Sequence, residues 1–199
     1  MAYSTPNLVV LAGPNGAGTS TAAPALLQGT LGVTEFVNAD VIAQGLSAFD
    51  PDRVALAAGR IMLRRLQDLA RQGVSFAFET TLSSRSFAPW IRELSQTGYQ
   101  FHLVFLWLPS ADFAVQRVAD RVRLGGHGVR ETTIRRRYHL GLHNFFRLYQ
   151  PLATTWGMFD NSGTAGLREI AAGQQTSMTQ ISDAAIWQYL TQEYGHDAG

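Results

Sequence analysis

The sequence predicts an α/β fold, a mostly parallel sheet flanked by helices, on three observations. Short apolar runs alternate with helix-length amphipathic segments along the chain, the pattern of strands joined by crossover helices. A glycine-rich turn, Gly13–Gly18, separates the first apolar run from the first helix. Polar clusters stand at the carboxyl ends of the apolar runs, where open α/β sheets bind ligands. At 199 residues the chain suits one domain, 1–199, in which an arginine-rich helical segment at about 111–150 would form a lid.

Taken in order, the first strand is read at Asn7–Leu11, followed by the glycine loop and a helix from about Gly18 to Leu27. Pro24 removes a hydrogen bond inside that helix, which predicts a kink or a short helix. A second strand at Glu35–Asn38 precedes a helix beginning near Val41. Asp50-Pro51 then opens a long helix, with an acid at its cap and proline at its first position. Val54, Leu56, Ile61, Leu66 and Leu69 give that helix its apolar spacing, and Gly73 ends it. Val74–Phe78 is a short strand delivering Glu79-Thr80-Thr81 at its end. A helix at about Ser86–Gln96 leads to Phe101–Leu108, the most continuous apolar run, read as a central strand buried on both faces. Helices at about Ala111–Leu124 and Thr132–Leu148 flank the turn Gly125-Gly126-His127-Gly128. Trp156–Phe159 is a further strand ending in Asp160-Asn161-Ser162. A short strand near Arg168–Ala171 and a helix near Ser182–Glu193 complete the chain.

The composition excludes several classes. Apolar residues make up 46% and charged residues 16%, the balance of a globular protein. Without cysteine there are no disulfides and no thiolate metal sites, which suits the cytoplasm. Met1–Pro6 has no basic region, so no signal peptide is expected, and the longest apolar strand is too short to span a bilayer. A net charge of +1 argues against a general nucleic-acid binder. All 16 basic residues are arginine. Eight of them lie between Arg117 and Arg147, opposed there only by Asp120 and Glu131.

The stretch Gly13-Pro14-Asn15-Gly16-Ala17-Gly18-Thr19-Ser20 follows the phosphate-binding loop pattern G-x-x-x-x-G-K-[ST], with threonine in place of lysine. Its strand–turn–helix setting makes the fold P-loop NTPase-type. Glycines let backbone N–H groups curl around phosphate oxygens, the helix start adds partial positive charge, and Ser20-Thr21 supply hydroxyls. Ser20 stands where the motif holds Mg²⁺. Thr19 stands where an ammonium reaches the β/γ-phosphates, and a chain without lysine can replace that cation only with arginine.

Asp40 closes a strand near the loop. It either takes the proton of an attacking hydroxyl, helps order Mg²⁺, or simply caps the next helix. Glu79, with Thr80 and Thr81, either binds a substrate hydroxyl or amide or is an exposed strand end. Arg117 and Arg121, four apart, share a helix face, and Arg130, Arg135, Arg136 and Arg137 lie beyond the glycine turn. Guanidinium groups pair well with phosphate, so this segment suits closure over a nucleotide, while at least half of these arginines form an ordinary solvated face. A nucleic-acid groove ranks lower, because Tyr138, Phe145, Phe146 and Tyr149 fall at spacings of core contacts.

On these residues the sequence resembles the zeta-toxin family of P-loop kinases, more closely its short bacterial branch of predicted ATPases. The resemblance rests on GPNGAG at Gly13–Gly18, NAD at Asn38–Asp40 and ETTLS at Glu79–Ser83. GGH at Gly125–His127, RRY at Arg136–Tyr138 and DNS at Asp160–Ser162 continue it in the same order. It implies ATP and Mg²⁺ as cofactors and transfer of the γ-phosphoryl group to a small-molecule hydroxyl. In zeta toxins the acceptor is a UDP-linked amino sugar and an antitoxin protein restrains the enzyme. It further implies Asp40 as catalytic base, Glu79 as substrate-binding acid and Ser20 as Mg²⁺ ligand. Arg117 and Arg130 match the arginines that stabilise the transition state, with Arg121 and Arg137 as alternatives. Thr19 departs from the pattern. It reflects an introduced change, a degenerate relative that binds nucleotide weakly, or a vacancy filled by a lid arginine.

Overall fold

The computed structural model describes residues 5–27 and 33–195. Among them, β1 (Asn7–Ala12), β2 (Glu35–Val37), β3 (Phe76–Thr80), β4 (Gln100–Trp107) and β5 (Thr155–Asp160) pair in parallel. β6 (Arg168–Gln174) and β7 (Ser177–Ile181) extend the sheet antiparallel, giving seven strands in the order β2-β3-β1-β4-β5-β6-β7. Six α-helices join them, α1 (Thr19–Pro24), α2 (Ala39–Leu46), α3 (Ala55–Gln72), α4 (Phe87–Gln96), α5 (Ala111–Arg123) and α6 (Glu131–Asn144), and α7 (Ala184–Tyr194) follows the last strand. No helix of the described residues is long and apolar enough to cross a membrane. Met1–Ser4, part of the stretch read for a targeting signal, lie outside the described residues.

Alternation along β1 shows why both faces of the sheet are covered. Leu8 and Val10 enter a large core with Leu66 and Leu69 of α3, Ile91 of α4, Val118 of α5 and Leu142 of α6. Val9 and Leu11 enter a smaller one with Ala23, Leu27, Val33 and Ala77. Successive side chains of a strand point to opposite faces, so an unbroken apolar run is what a two-sided core requires. β4, between β1 and β5, is the central strand its composition predicts.

Several expected boundaries shift, each for a local reason. Pro24 ends α1 after six residues, and residues 25–27 continue as a π-turn, so the short first helix is what forms. Asn38, read as the end of the second strand, instead caps α2, its Oδ1 accepting from the N–H groups of Asp40 and Val41. Asp40 is therefore not the cap. Asp50 accepts from Arg53 N at 3.3 Å, but the turn it starts, Pro51–Val54, is 3-10 helical and α3 begins only at Ala55. The buried stripe of α3 is Ala58, Met62, Leu66 and Leu69; Leu56 and Ile61 face solvent. Val74, with Tyr99 Oη donating to its carbonyl, precedes β3, so Glu79 and Thr80 lie within the strand. The helix expected through Leu148 changes to π-helix at Phe145–Tyr149, where three aromatic side chains turn into the core.

Candidate functional site

The parallel order places the carboxyl ends of β1, β2, β3 and β5 at one edge, and a cavity of about 730 Å³ opens there. Its wall includes the loop residues Gly13–Gly16 and Gly18–Thr21, Asn38-Ala39-Asp40, Glu79-Thr80-Thr81 and Asn161. The other wall is built by α5 and α6 and the turn between them: Arg117, Asp120, Arg121, Leu124, Gly126 and Arg137. Each of the four polar clusters at strand ends thus contributes to the wall, the last through Asn161 alone.

The loop's conformation follows from its glycines. Gly16 and Gly18 have φ of +85° and +81°, and a Cβ on Gly18 would stand 2.8 Å from Asn161 Nδ2. That same amide donates to Ala17 O at 2.7 Å, while Asn161 O accepts from Arg117 Nη2 at 2.8 Å. Ala17 is buried beneath the loop and is absent from the cavity wall.

Glu79 is the centre of the polar network. Thr19 Oγ1 donates to its Oε1, and its Oε2 accepts from Ser20 Oγ at 2.7 Å and from Asn38 Nδ2 at 2.6 Å. Burial nevertheless raises its pKa above the ordinary carboxylate value. The Thr19 and Ser20 hydroxyls act against that rise, Asp40's charge adds to it, and Arg121 opposes it. Thr19 is only 6% exposed, so its hydroxyl is turned to the protein. Beyond Glu79, Thr80 Oγ1 accepts from Leu82 N at 3.2 Å and Thr81 Oγ1 lies 2.9 Å from Ser83 Oγ. Leu82 is fully buried with φ +53°, an unusual conformation for a branched residue and a mark of local strain beside the site. Asn144 Nδ2 holds it by donating to Leu82 O at 2.6 Å.

Asp40 sits in the first turn of α2, exposed and on the cavity wall. Three arginines reach the cavity from the opposite side. Arg117 is tied to the loop by Nε donating to Gly16 O at 3.4 Å, with its guanidinium over the Phe113 ring. Arg137 Nη1 donates to Asn15 Oδ1 at 3.4 Å; burial lowers its pKa, and Asp40's charge works against that. Arg121 Nε donates to His127 O at 3.0 Å. Arg130, matched by sequence with Arg117, is exposed at the start of α6 and outside the cavity wall. Asn38's bond to Glu79 was missed by sequence reasoning, because Asn38 reads there as a strand end and the contact joins residues 41 apart.

Ser20 Oγ and the Glu79 carboxylate put hard oxygen donors side by side, a set that fits Mg²⁺. No group of three or more His, Asp or Glu side chains forms a metal cluster among the described residues.

Relatives agree with this architecture. A Haemophilus influenzae protein described only as uncharacterized is 26% identical over 102 residues, 51% of this chain and 73% of that one. The structure is similar to that of AvrRxo1-ORF1:-ORF2 solved with ATP, at a TM-score of 0.70 and 16% identity, covering 99% of this chain and 66% of that one. This chain thus spans just under two thirds of that protein's matched chain. It is also similar to the PezAT chromosomal toxin–antitoxin system of Streptococcus pneumoniae, at a TM-score of 0.68 and 14% identity, covering 100% and 81%. The shared fold is P-loop kinase-like. Residues 8–138, well over half of the chain, match the family described as an AAA domain (AAA_33), and the chain belongs to that family.

Proposed function

We propose that the chain binds ATP with Mg²⁺ in this cavity and transfers the γ-phosphoryl group to a hydroxyl of a small molecule. The observation that carries this reading is the convergence of the loop, Asp40, Glu79 and three arginines on one cavity. Phosphoryl transfer needs little covalent chemistry from a protein; it needs positioning and charge neutralisation. Asp40 takes the proton of the acceptor hydroxyl, whose oxygen bonds to the γ-phosphorus as the bond to ADP breaks. Glycine-loop N–H groups hold the phosphates, and the arginines balance charge on the transferring group. Mg²⁺, held by Ser20 with Glu79 behind it, would neutralise the β- and γ-phosphate oxygens. Glu79, Thr80 and Thr81 line the same cavity and would contact a polar substrate, with a UDP-linked amino sugar as the first candidate.

Two features of the similar structures support the reading: one was solved with ATP, and another is of a toxin–antitoxin system. An antitoxin-like partner protein therefore belongs to the proposal. The test is calorimetry with ATP–Mg²⁺, then a screen of hydroxylated metabolites for ATP-dependent phosphorylation. Asp40→Asn should lower kcat by about 10²–10⁴-fold, the range for general base catalysis, with ATP affinity within threefold of the parent. If neither this chain nor Thr19→Lys binds ATP, the kinase reading is wrong.

A second reading is a nucleotide-binding module that has lost transfer. The bond from Thr19 to Glu79 favours it, because that hydroxyl faces a carboxylate where the motif expects a cation facing phosphate. Phosphorylation by Thr19→Lys alone would select it.

A further inference from the structure

We infer that Arg121 supplies the phosphate-contacting cation that the loop lacks at residue 19, and that the glycine turn after α5 is built to hold it there. The inference rests on the nucleotide-binding reading above and extends it to one side chain.

Three arginines reach the cavity, and their commitments differ. Arg117 is engaged twice by backbone carbonyls, those of Gly16 and Asn161, so it braces the loop. Arg137 spans to Asn15 on the side of Asp40. The side chain of Arg121 makes a single hydrogen bond among the described residues, from Nε to His127 O. Its Nη2 is buried with no acceptor. A guanidinium has five N–H donors, and a buried one left unmatched is costly unless an anion completes it. Arg121 lines the same cavity as Thr19 and Glu79, whose mutual hydrogen bond occupies the place of the motif's cation. It is the cavity arginine with a donor left for an anion.

The turn explains how the side chain is kept there. Gly126 N donates to Arg121 O at 2.9 Å, and His127 O takes Nε. A Cβ on Gly126 would stand 2.6 Å from Arg121 Cγ and 3.0 Å from Arg121 O. Glycine at 126 leaves room for the arginine stem to fold back into the cavity wall; any side chain there would displace it.

The experiment is a binding cycle on the full chain with ATP–Mg²⁺ and AMP as probes, because the motif's cation serves the β/γ-phosphates and AMP has neither. Arg121→Ala should weaken ATP about 10–100-fold, as expected for a charge-assisted contact, and AMP less than threefold. Arg121→Lys should retain ATP affinity within about tenfold of the parent, since an ammonium also binds phosphate. Gly126→Ala should reproduce the loss of Arg121→Ala with the arginine still present. In the Thr19→Lys background, Arg121→Ala should cost less than threefold, because the loop then carries its own cation. Equal losses for ATP and AMP, an Arg121→Lys no better than Arg121→Ala, or the same cost in both backgrounds would overturn the inference and leave nucleotide binding standing. Absence of ATP binding by both this chain and Thr19→Lys would remove the nucleotide reading, and the inference with it.

Discussion

Glu79 has three hydrogen-bond donors and still titrates above the ordinary carboxylate range, because burial outweighs the hydroxyls that favour its charge. The sign of the linkage follows. A carboxyl whose pKa is raised on folding binds its proton more tightly in the native state, so its contribution to stability is fully present below the unfolded value. That contribution is lost as pH rises through the folded value. A divalent cation at Ser20 and Glu79 needs the deprotonated form, so cation binding should weaken over the same window as pH falls. Denaturant titrations from below the ordinary carboxylate pKa upward should show stability declining with pH by a component that Glu79→Gln removes. Mg²⁺ titrations with ATP should lose their acid limb in the same variant. A pH profile identical in parent and variant would mean that Glu79 does not titrate as its surroundings demand. Thr19, by contrast, was conspicuous in the sequence as a missing lysine. What no sequence could show is that its hydroxyl turns to Glu79, since that contact joins residues 60 apart.

At the scale of single elements, helix α3 separates what periodicity can show from what it cannot. Its helical character was legible from apolar spacing and from Gly73, which closes it with φ +67°. The face was not, because apolar residues cover more of the helix than the core uses: Leu56 is 72% exposed and Ile61 40%, while Ala58 and Met62 are buried. Leu66→Ala should cost about 2–5 kcal/mol, the range for truncating a packed core leucine. Leu56→Glu should lie within about 0.5 kcal/mol of the parent, as for other surface changes. Comparable losses from both, in urea unfolding, would contradict the observed face. β7 is the opposite case, a strand with no legible pattern. All five of its residues are exposed, so no alternation marks it, and only pairing with β6 makes it a strand. The site-bearing elements were easier, since a glycine loop after a strand and acids at strand ends carry positional meaning without reference to packing.

Across the whole molecule, the arginine-rich segment divides by direction. Arg123 pairs with Asp120 at 2.8 Å, and Arg135 pairs with Asp112 at 2.6 Å and Glu131 at 2.8 Å, all on exposed surface. Arg117, Arg121 and Arg137 turn inward to the cavity. Their charge therefore faces the cavity, where the proposed function puts the phosphates. Sequence alone could count these arginines but not sort them, because the sorting depends on how α5 and α6 pack across the sheet edge. It also predicts how nucleotide binding should appear globally. Saturation at about 100 times Kd stabilises the native state by about 2.7 kcal/mol, whatever the ligand. ATP and AMP, each at that saturation, should therefore raise the unfolding midpoint by the same amount. They should differ locally. The turn between α5 and α6 carries Leu124 at 90% exposure and lines the cavity at Leu124 and Gly126, so it has little apolar packing to hold it. Hydrogen exchange across residues 117–137 should slow with ATP–Mg²⁺ and change little with AMP. Equal protection by the two nucleotides would mean that this arm responds to occupancy of the cavity and not to the β- and γ-phosphates.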